Sequence, residues 1–363
     1  MVNKDLFRQL DEYSKEKGIS IEELYETIRK AIEVSAKKVA PTWTIKVTIN
    51  PEKNEILTHA QKVVVEEIEA EREDGMAQIT LEEARQIKPN AKVGDIISKV
   101  LNTKEDFGRQ NAKSAKSTLT SGIRSIERKK LLEYFNQFVD EMLTATVISG
   151  TKEDKFLTLD VGEGLTTIIP QNELLAGDDF KAGDRIKVYV KAVEETTKDP
   201  KVKVSRTDKN LVTRLIENYV PEVKEGIVEI KGIARDAGSR TKIAVFSNDS
   251  KVDALGSCVG ENGARIGEIV RELSGEKIDL YKWSEDPEEL VTQALQPAKV
   301  TFVKNIDVKE KSALAIVPDD QLSLAIGKSG QNVRLAVQSS GWKIDIRSSK
   351  QAYDEGLLKD YIG

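Results

Sequence analysis

The sequence predicts a multidomain α+β protein, and three patterns in its 363 residues indicate this class. A helix–turn–helix–strand pattern occurs twice in the C-terminal third. A long stretch without proline lies further towards the N-terminus, and a region of short strands and glycine turns separates the two. At about 100–200 residues per domain, a chain of this length is expected to form roughly two to four domains.

The C-terminal pattern is an internal repeat built around two Gly-x-x-Gly turns. Gly260-Glu261-Asn262-Gly263 is matched by Gly327-Lys328-Ser329-Gly330, which begins 67 positions later (260 to 327). Apolar residues at helical spacing flank both turns, and a strand pattern follows each of them, beginning at Lys277 and at Lys343. The sequence therefore uses one structural module twice.

Each turn leaves main-chain N–H groups open to a backbone phosphate, because glycine has no Cβ atom and tolerates a positive φ. The helix that follows adds the positive end of its dipole. These features resemble the KH domain, a fold that holds about four nucleotides of single-stranded RNA. One such turn alone is usually an ordinary helix corner, but two in matched frames favour an RNA clamp.

The candidate RNA-binding residues are the turn residues and the polar residues that follow them. They are Gly260, Glu261, Asn262, Gly263, Arg265, Gly327, Lys328, Ser329, Gly330, Gln331, Asn332 and Arg334. Lys328 gives the second turn a cation, whereas Glu261 puts an anion where a phosphate would lie, which Arg265 could offset. We expect the second turn to make the stronger contact with the RNA backbone, with Glu261 either opposing the phosphate or simply pointing to solvent.

Composition argues against several other classes of function. The sequence has no run of about 18 apolar residues and no apolar signal region, so we expect a cytoplasmic protein without a membrane partner. The lone Cys258 and His59 cannot form a disulfide or a Cys/His metal site, and we predict no catalytic residue, cofactor or metal. The net charge is −5, and residues 211–350 are nearly balanced with 20 basic and 21 acidic residues. We therefore expect RNA binding through local clamps.

The N-terminal region predicts an α/β domain that ends in a long connector helix. Residues 3–40 predict helices, with a capping box that starts at Ser20, and residues 42–101 predict short strands around one short helix. Residues 105–142 contain no proline and predict one long helix. Basic residues in this helix are candidates for a partner or RNA surface, or simply for a solvated face: Arg109, Lys113, Lys116, Arg124 and Arg128.

Residues 141–208 predict a small OB-type β-barrel. Five short strand patterns alternate with glycine turns in this region. Such barrels bind single strands by stacking bases on exposed aromatic side chains. Phe156 is the candidate for stacking, whereas Tyr189 could belong to the core. Because aromatic residues are so few here, whether the barrel binds RNA stays open.

Two longer strings carry a more specific resemblance. IARDAGSRTKIAV (residues 233–245) enters the first repeat, and AIGKSGQNVRLA (325–336) with GWKIDI (341–346) forms the second. They resemble the signatures of the NusA family of bacterial transcription elongation factors. The resemblance implies an N-terminal polymerase-binding domain with its connector helix, an S-one-type RNA-binding barrel, two tandem type II KH domains and a short tail. The implied boundaries are 1–140, 141–208, 209–285, 286–350 and 351–363.

The resemblance further implies a regulator without catalytic activity. Its N-terminal domain would bind RNA polymerase, and its barrel and KH domains would bind nascent single-stranded RNA. The basic residues of the connector helix would face polymerase or RNA, and other Nus-type antitermination factors are further candidate partners. By favouring some states of the transcribing complex over others, such a protein would modulate pausing, intrinsic termination and antitermination.

The modules alone would also suit two other classes of protein. An RNA-processing enzyme of the phosphorolytic kind would place KH before the barrel and add large catalytic domains, and here the acidic segment 66–74 would have to bind a metal. A ribosome-assembly or translation factor could use the same modules, although the sequence has no P-loop for a GTPase. Magnesium-dependent RNA cleavage would favour the first class, and recovery of ribosomal subunits without polymerase would favour the second.

Overall fold

The computed structural model describes residues 4–70, 74–101, 109–151 and 153–357, with the side chains of 109–112 left out. The chain divides into two compact units, Met1–Glu133 and Tyr134–Gly363, which are taken separately below. Across the described ranges, no helix is both long enough and apolar enough to cross a bilayer.

The first unit combines a helical pair, a mixed sheet and most of the long helix. Its elements are α1 (Lys4–Lys17), α2 (Ile21–Val39), β1 (Thr44–Asn50), β2 (Glu55–Val65), β3 (Gln78–Thr80), α3 (Leu81–Ile87), β4 (Ile96–Val100) and α4 (Arg109–Asn136). Strand β2 is central, because it pairs antiparallel with β1 and β4 and parallel with β3. The buried apolar core of this sheet includes Val64, Ile79 and Ile97.

The capping box predicted at Ser20 is wrong. The Ser20 hydroxyl donates to the Glu22 carboxylate at 2.6 Å and makes no side-chain cap to the helix. Hydrogen bonds to an ionised carboxylate are stronger than those to a neutral acceptor. The bond from Ser20 stabilises the Glu22 carboxylate and lowers the pKa of Glu22 below its ordinary value. At the next helix, by contrast, Thr80 accepts from the Glu83 N–H at 3.3 Å.

The long helix ends at Asn136 and not near Met142 as predicted. The backbone of the following residues is taken up by the barrel: the Asp140 N–H donates to the Val190 carbonyl at 3.0 Å, and the Val190 N–H donates to the Glu141 carbonyl at 2.9 Å. Asp140 also has a φ of 65°, which no helix continues. Pairing with a strand about fifty residues away therefore ends this helix.

The barrel at the start of the second unit has the predicted five strands. They are β5 (Met142–Ser149), β6 (Phe156–Gly162), β7 (Leu165–Pro170), β8 (Arg185–Glu194) and β9 (Lys201–Ser205), in the order β7-β6-β5-β8-β9. The Thr167 hydroxyl on β7 donates to the Val202 carbonyl on β9 at 2.5 Å, which brings the two edge strands together. The OB-type prediction is thus confirmed, and Tyr189 lies in the core at 3% exposure.

Two modules with the same connectivity follow the barrel. The first contains α5 (Lys209–Tyr219), α6 (Pro221–Lys224), β10 (Val228–Asp236), β11 (Arg240–Ser247), α7 (Ala254–Val259), α8 (Ala264–Glu272) and β12 (Lys277–Lys282). The second contains α9 (Pro287–Ala294), β13 (Phe302–Asp307), β14 (Ser312–Val317), α10 (Leu322–Ile326), α11 (Gln331–Ser340), β15 (Lys343–Ser348) and α12 (Ser349–Asp354). In each sheet the first two strands pair antiparallel and the last two pair parallel. The predicted duplication is confirmed.

The barrel and the two modules share buried interfaces within the second unit. Ala244 and Tyr281 of the first module lie in one apolar cluster with Ala336 of the second. At Gly232 a Cβ atom would come within 1.9 Å of the Ser339 carbonyl oxygen, so the two backbones touch. On the barrel side, the buried Arg206 forms an ion pair with Asp178 at 2.7 Å and also donates to the Glu272 carbonyl at the end of α8.

Candidate nucleic-acid interface

The two Gly-x-x-Gly turns have nearly identical backbones. Gly260 has φ 75° and ψ 173°, and Gly327 has φ 75° and ψ 171°. The residue at the tip of each turn, Asn262 or Ser329, adopts a left-handed conformation with φ 51°. Each turn then leads directly into α8 or α11, and the first N–H of the helix, that of Ala264 or Gln331, donates to the carbonyl of Glu261 or Lys328 in the turn.

Glycine is required at the first position of each turn for two reasons, its backbone conformation and the lack of space for a Cβ atom. Its φ and ψ fall in a region that is essentially restricted to glycine. A Cβ atom on Gly327 would also lie 2.7 Å from the Asn332 nitrogen, and one on Gly260 would lie 2.7 Å from the Arg265 Cγ atom. A Cβ atom on the last glycine, Gly330, would meet nothing within 4 Å, so this position faces open space and needs glycine for its φ of 73°.

Arg265 and Asn332 occupy the same position, five residues after the first glycine, and both tie the turn to the helix before it. The Arg265 guanidinium donates to the Ser257 carbonyl of α7 at 2.7 Å and to Glu222 at 2.9 Å. The Asn332 amide donates to the Ala325 carbonyl of α10 and to the Leu295 carbonyl, both at 3.0 Å. Asn332 is only 4% exposed, so this candidate lies beneath the turn and not on its open side.

The two turns differ in charge. Lys328 and Ser329 are exposed, and within the described residues no acidic side chain forms an ion pair with Lys328. Glu261 and Asn262 are exposed as well, but the first turn has no cation to match Glu261, because Arg265 is held by Glu222. Arg265 therefore does not play the offsetting part that the sequence suggested for it.

Gln331 and Arg334 point towards the first module. Both side chains donate to the same Asp236 carboxylate oxygen, at 2.6 and 3.0 Å, and Gln331 also donates to Ser239 at 2.8 Å. Arg334 nevertheless keeps 56% of its side chain exposed. These two candidates therefore lie on the surface at the start of α11, where they are shared between the second turn and the β10–β11 turn.

The structure adds apolar residues that the sequence did not single out. Val259 and Ile326 each immediately precede the first glycine of a turn and are 36% and 38% exposed, and Leu324 is 44% exposed. Both belong to the apolar residues at helical spacing that flank the turns in the sequence. Exposed apolar side chains beside an open turn are suited to contact with bases or riboses.

The remaining candidates lie elsewhere. Phe156 is 47% exposed on the barrel, and Ile168 on the neighbouring strand is 41% exposed. In the first unit, α4 exposes Lys113, Lys116 and Arg124, whereas Arg128 is half-buried with a bond to Ser125. The helix begins at Arg109, whose side chain lies outside the described residues.

Cys258 is buried on α7, and burial raises the pKa of its thiol to about 11, so the reactive thiolate is disfavoured. No group of three or more His, Cys, Asp or Glu side chains in the described ranges is arranged to hold a metal ion.

The fold and the turns define a protein in which two tandem KH domains follow an OB-type barrel. Comparison with known proteins agrees with this class. Three family models match: NusA N-terminal domain over residues 5–129, NusA-like first KH domain over 206–283 and NusA-like second KH domain over 287–354. The chain belongs to the NusA family.

Full-length relatives support the same assignment. Each of the following is named transcription termination/antitermination protein NusA. The relative from Halalkalibacterium halodurans is 41% identical over 99% of this chain and 92% of its own length. The relative from Bacillus subtilis is 42% identical over 98% of this chain and 94% of its own, and that from Thermus thermophilus is 33% identical over 99% and 94%.

Proposed function

We propose that this protein is a transcription factor without catalytic activity that binds RNA polymerase and nascent single-stranded RNA and thereby modulates pausing, intrinsic termination and antitermination. The names of its full-length relatives support the role in termination and antitermination. The two KH domains support RNA as a ligand, and the match to the NusA N-terminal domain supports polymerase as a partner. Other antitermination factors are further candidate partners, and the work would take place in the cytoplasm.

The single observation that carries the RNA-binding part is the pair of open turns with one backbone geometry. At each turn, a phosphate of a single strand can approach the main chain, because the last glycine presents no side chain and the positive end of the helix dipole lies at the turn. The exposed apolar residues next to each turn, Val259 and Ile326, would contact the bases. Holding RNA in this way changes the balance between states of the transcribing complex.

Charge makes the second turn the stronger phosphate site. Lys328 adds a cation at the point of approach, and Arg334 lies one helical turn further on. At the first turn, Glu261 opposes the phosphate and only the main chain and the apolar surface favour RNA. We assign Arg265 and Asn332 to holding the turns in shape, since their donors are already bound to carbonyl groups beneath.

The double variant Lys328→Asp with Ser329→Asp tests the clamp. Both side chains are exposed, and aspartate tolerates the left-handed conformation of residue 329, so the fold should survive. We expect affinity for single-stranded RNA, measured by fluorescence anisotropy, to fall by about tenfold or more, because the change removes one positive charge and adds two negative charges where phosphate binds.

A matched control makes the same change in charge elsewhere in the second KH domain. Val308→Asp with Lys309→Asp alters two exposed residues of the β13–β14 turn and should leave affinity nearly unchanged. Equal losses in both double variants would contradict a local clamp. For the whole function, an in vitro pause assay should respond to the purified chain, and recovery of ribosomal subunits without polymerase would favour a translation role instead.

A further inference from the structure

The second turn has an acidic neighbour that belongs to the other KH domain. Asp236, at the end of β10, accepts hydrogen bonds from two polar side chains of α11, the half-buried Gln331 and the exposed Arg334. Gln331 and Arg334 lie 95 and 98 residues away in the chain, so no local pattern places them together. The Asp236 carboxylate therefore already binds the two polar side chains that follow the second turn, the one proposed to bind phosphate more strongly.

The position of Asp236 is fixed by its own domain and does not depend on Arg334. The buried Glu276 carboxylate accepts from the Gly238 N–H at 2.8 Å and forms an ion pair with Arg235 at 2.9 Å, which holds the β10–β11 turn from within. The close packing of Gly232 against Ser339 fixes this sheet relative to α11. The backbone that carries Asp236 is therefore held at the start of α11 without help from Arg334.

The pair is exposed enough for RNA to compete. Arg334 keeps 56% of its side chain accessible and Asp236 keeps 39%, so a phosphate can reach the guanidinium without unfolding anything. Resting on the function proposed above, we propose that Asp236 competes with RNA phosphate for Arg334 and so sets the affinity of the second KH turn. An RNA phosphate can pair with the Arg334 guanidinium only if it displaces the Asp236 carboxylate. Repulsion between this carboxylate and the phosphate weakens RNA binding further.

The test is the variant Asp236→Asn, which removes the charge and keeps a side-chain oxygen that can still accept from Gln331. Binding of a fluorescent mixed-sequence RNA of about 20 nucleotides should tighten by about two- to fivefold, the range expected for one half-exposed charge pair. Asp354→Asn, an equal change in charge on the exposed surface of α12, should shift affinity by less than twofold. An unchanged or weakened affinity for Asp236→Asn would overturn the inference.

A double-mutant cycle with Arg334→Ala separates competition from simple repulsion. If Asp236 acts by occupying Arg334, the gain from Asp236→Asn must be larger with Arg334 present than with alanine in its place. Equal gains in both backgrounds would show repulsion alone and would contradict the inference. Lys328→Ala, measured in the same series, separates this inference from the function proposed above. If Lys328→Ala weakens binding and Asp236→Asn changes nothing, the clamp stands and only this inference fails. If Lys328→Ala does not weaken binding, the proposed clamp itself fails.

Discussion

The two Gly-x-x-Gly turns of this chain differ in what surrounds a shared backbone. Their glycines agree within a few degrees in φ and ψ, and the residue five positions after the first glycine holds the preceding helix in both. The first turn carries Glu261 and has Arg265 bound to Glu222, whereas the second carries an unpaired Lys328 within the described structure. We therefore expect backbone shape to make each turn able to bind phosphate and side-chain charge to decide how strongly it does so.

Replacing the first glycine should give the largest effect and should separate the two turns. Gly327→Ala forces an unfavourable φ and ψ and sets a Cβ atom 2.7 Å from a backbone nitrogen, so we expect the second KH domain to lose about 3 kcal/mol of stability. Gly260→Ala forces the same φ and ψ, but its Cβ atom would lie 2.7 Å from the Arg265 Cγ atom and 3.0 Å from the Arg265 backbone nitrogen, so it should cost less, about 2 kcal/mol.

Hydrogen exchange of the amides in α10 and α11, compared with those in α7 and α8, measures this difference domain by domain. Each substitution should speed exchange mainly in its own module. Faster exchange confined to the opposite module, or no change with Gly327→Ala, would contradict the packing described for the turns.

A second contrast lies in the sheets beneath the turns. Lys242 on β11 is 1% exposed and pairs in register with Asp279, whereas the corresponding residue of the second module is Leu314, which pairs with Asp345. The Lys242 ammonium donates to the Gln296 carbonyl at 2.6 Å. Burial lowers the pKa of Lys242 to about 8, with nearby Asp279 raising it only in part.

Lys242→Leu makes the first sheet resemble the second and should remove a pH dependence. Because the protonated amine is disfavoured in the fold, the wild-type protein gains stability relative to the variant as pH rises from about 8 to 10.5, by roughly 1.4 kcal/mol per pH unit. Denaturant unfolding of both proteins between pH 7 and 9.5 measures the difference.

The comparison with the variant is needed because other groups titrate in the opposite sense. Burial raises the pKa of Cys258 to about 11, so its contribution to stability falls as pH rises from about 9, and this cancels in the difference. A difference between wild type and Lys242→Leu that stays constant from pH 7 to 9.5 would show that Lys242 does not titrate in this range.

The smallest expected effect concerns the tip of each turn. Ser329→Asn gives the second turn the residue found at the tip of the first, and asparagine adopts the left-handed conformation more readily than serine. We expect a gain of a few tenths of a kcal/mol in stability and no change in RNA affinity beyond twofold. Thermal unfolding and anisotropy measure the two quantities, and a loss of stability would contradict the left-handed tip.

Sequence reasoning predicted the features that local pattern and glycine chemistry determine. The duplicated turns and the five barrel strands follow from spacing and composition, and both are found in the structure. Within the candidate site, the same reasoning predicted the positions of the turns and the difference in charge between Glu261 and Lys328. Both features are contained in the four-residue Gly-x-x-Gly segments themselves.

The features that could not be predicted depend on contacts between distant residues. The end of α4 is set by Val190 on β8, and the donors of Asn332 and Arg265 are taken up by carbonyl groups that only the folded helices bring near. The Ser20 hydroxyl donates to the Glu22 carboxylate and does not accept from a helix N–H, and sequence pattern does not tell which of the two roles the hydroxyl takes. Sequence patterns therefore located the two turns but not the residues that support them.

The central claim, that the second turn carries most of the phosphate binding, is tested most directly by comparing two single substitutions. Lys328→Ala and Glu261→Ala remove one charge each from equivalent positions of the two turns. Measured by anisotropy with one RNA at one salt concentration, Lys328→Ala should weaken binding several-fold and Glu261→Ala should leave it unchanged or tighten it. A loss of affinity with Glu261→Ala that equals or exceeds the loss with Lys328→Ala would contradict the account.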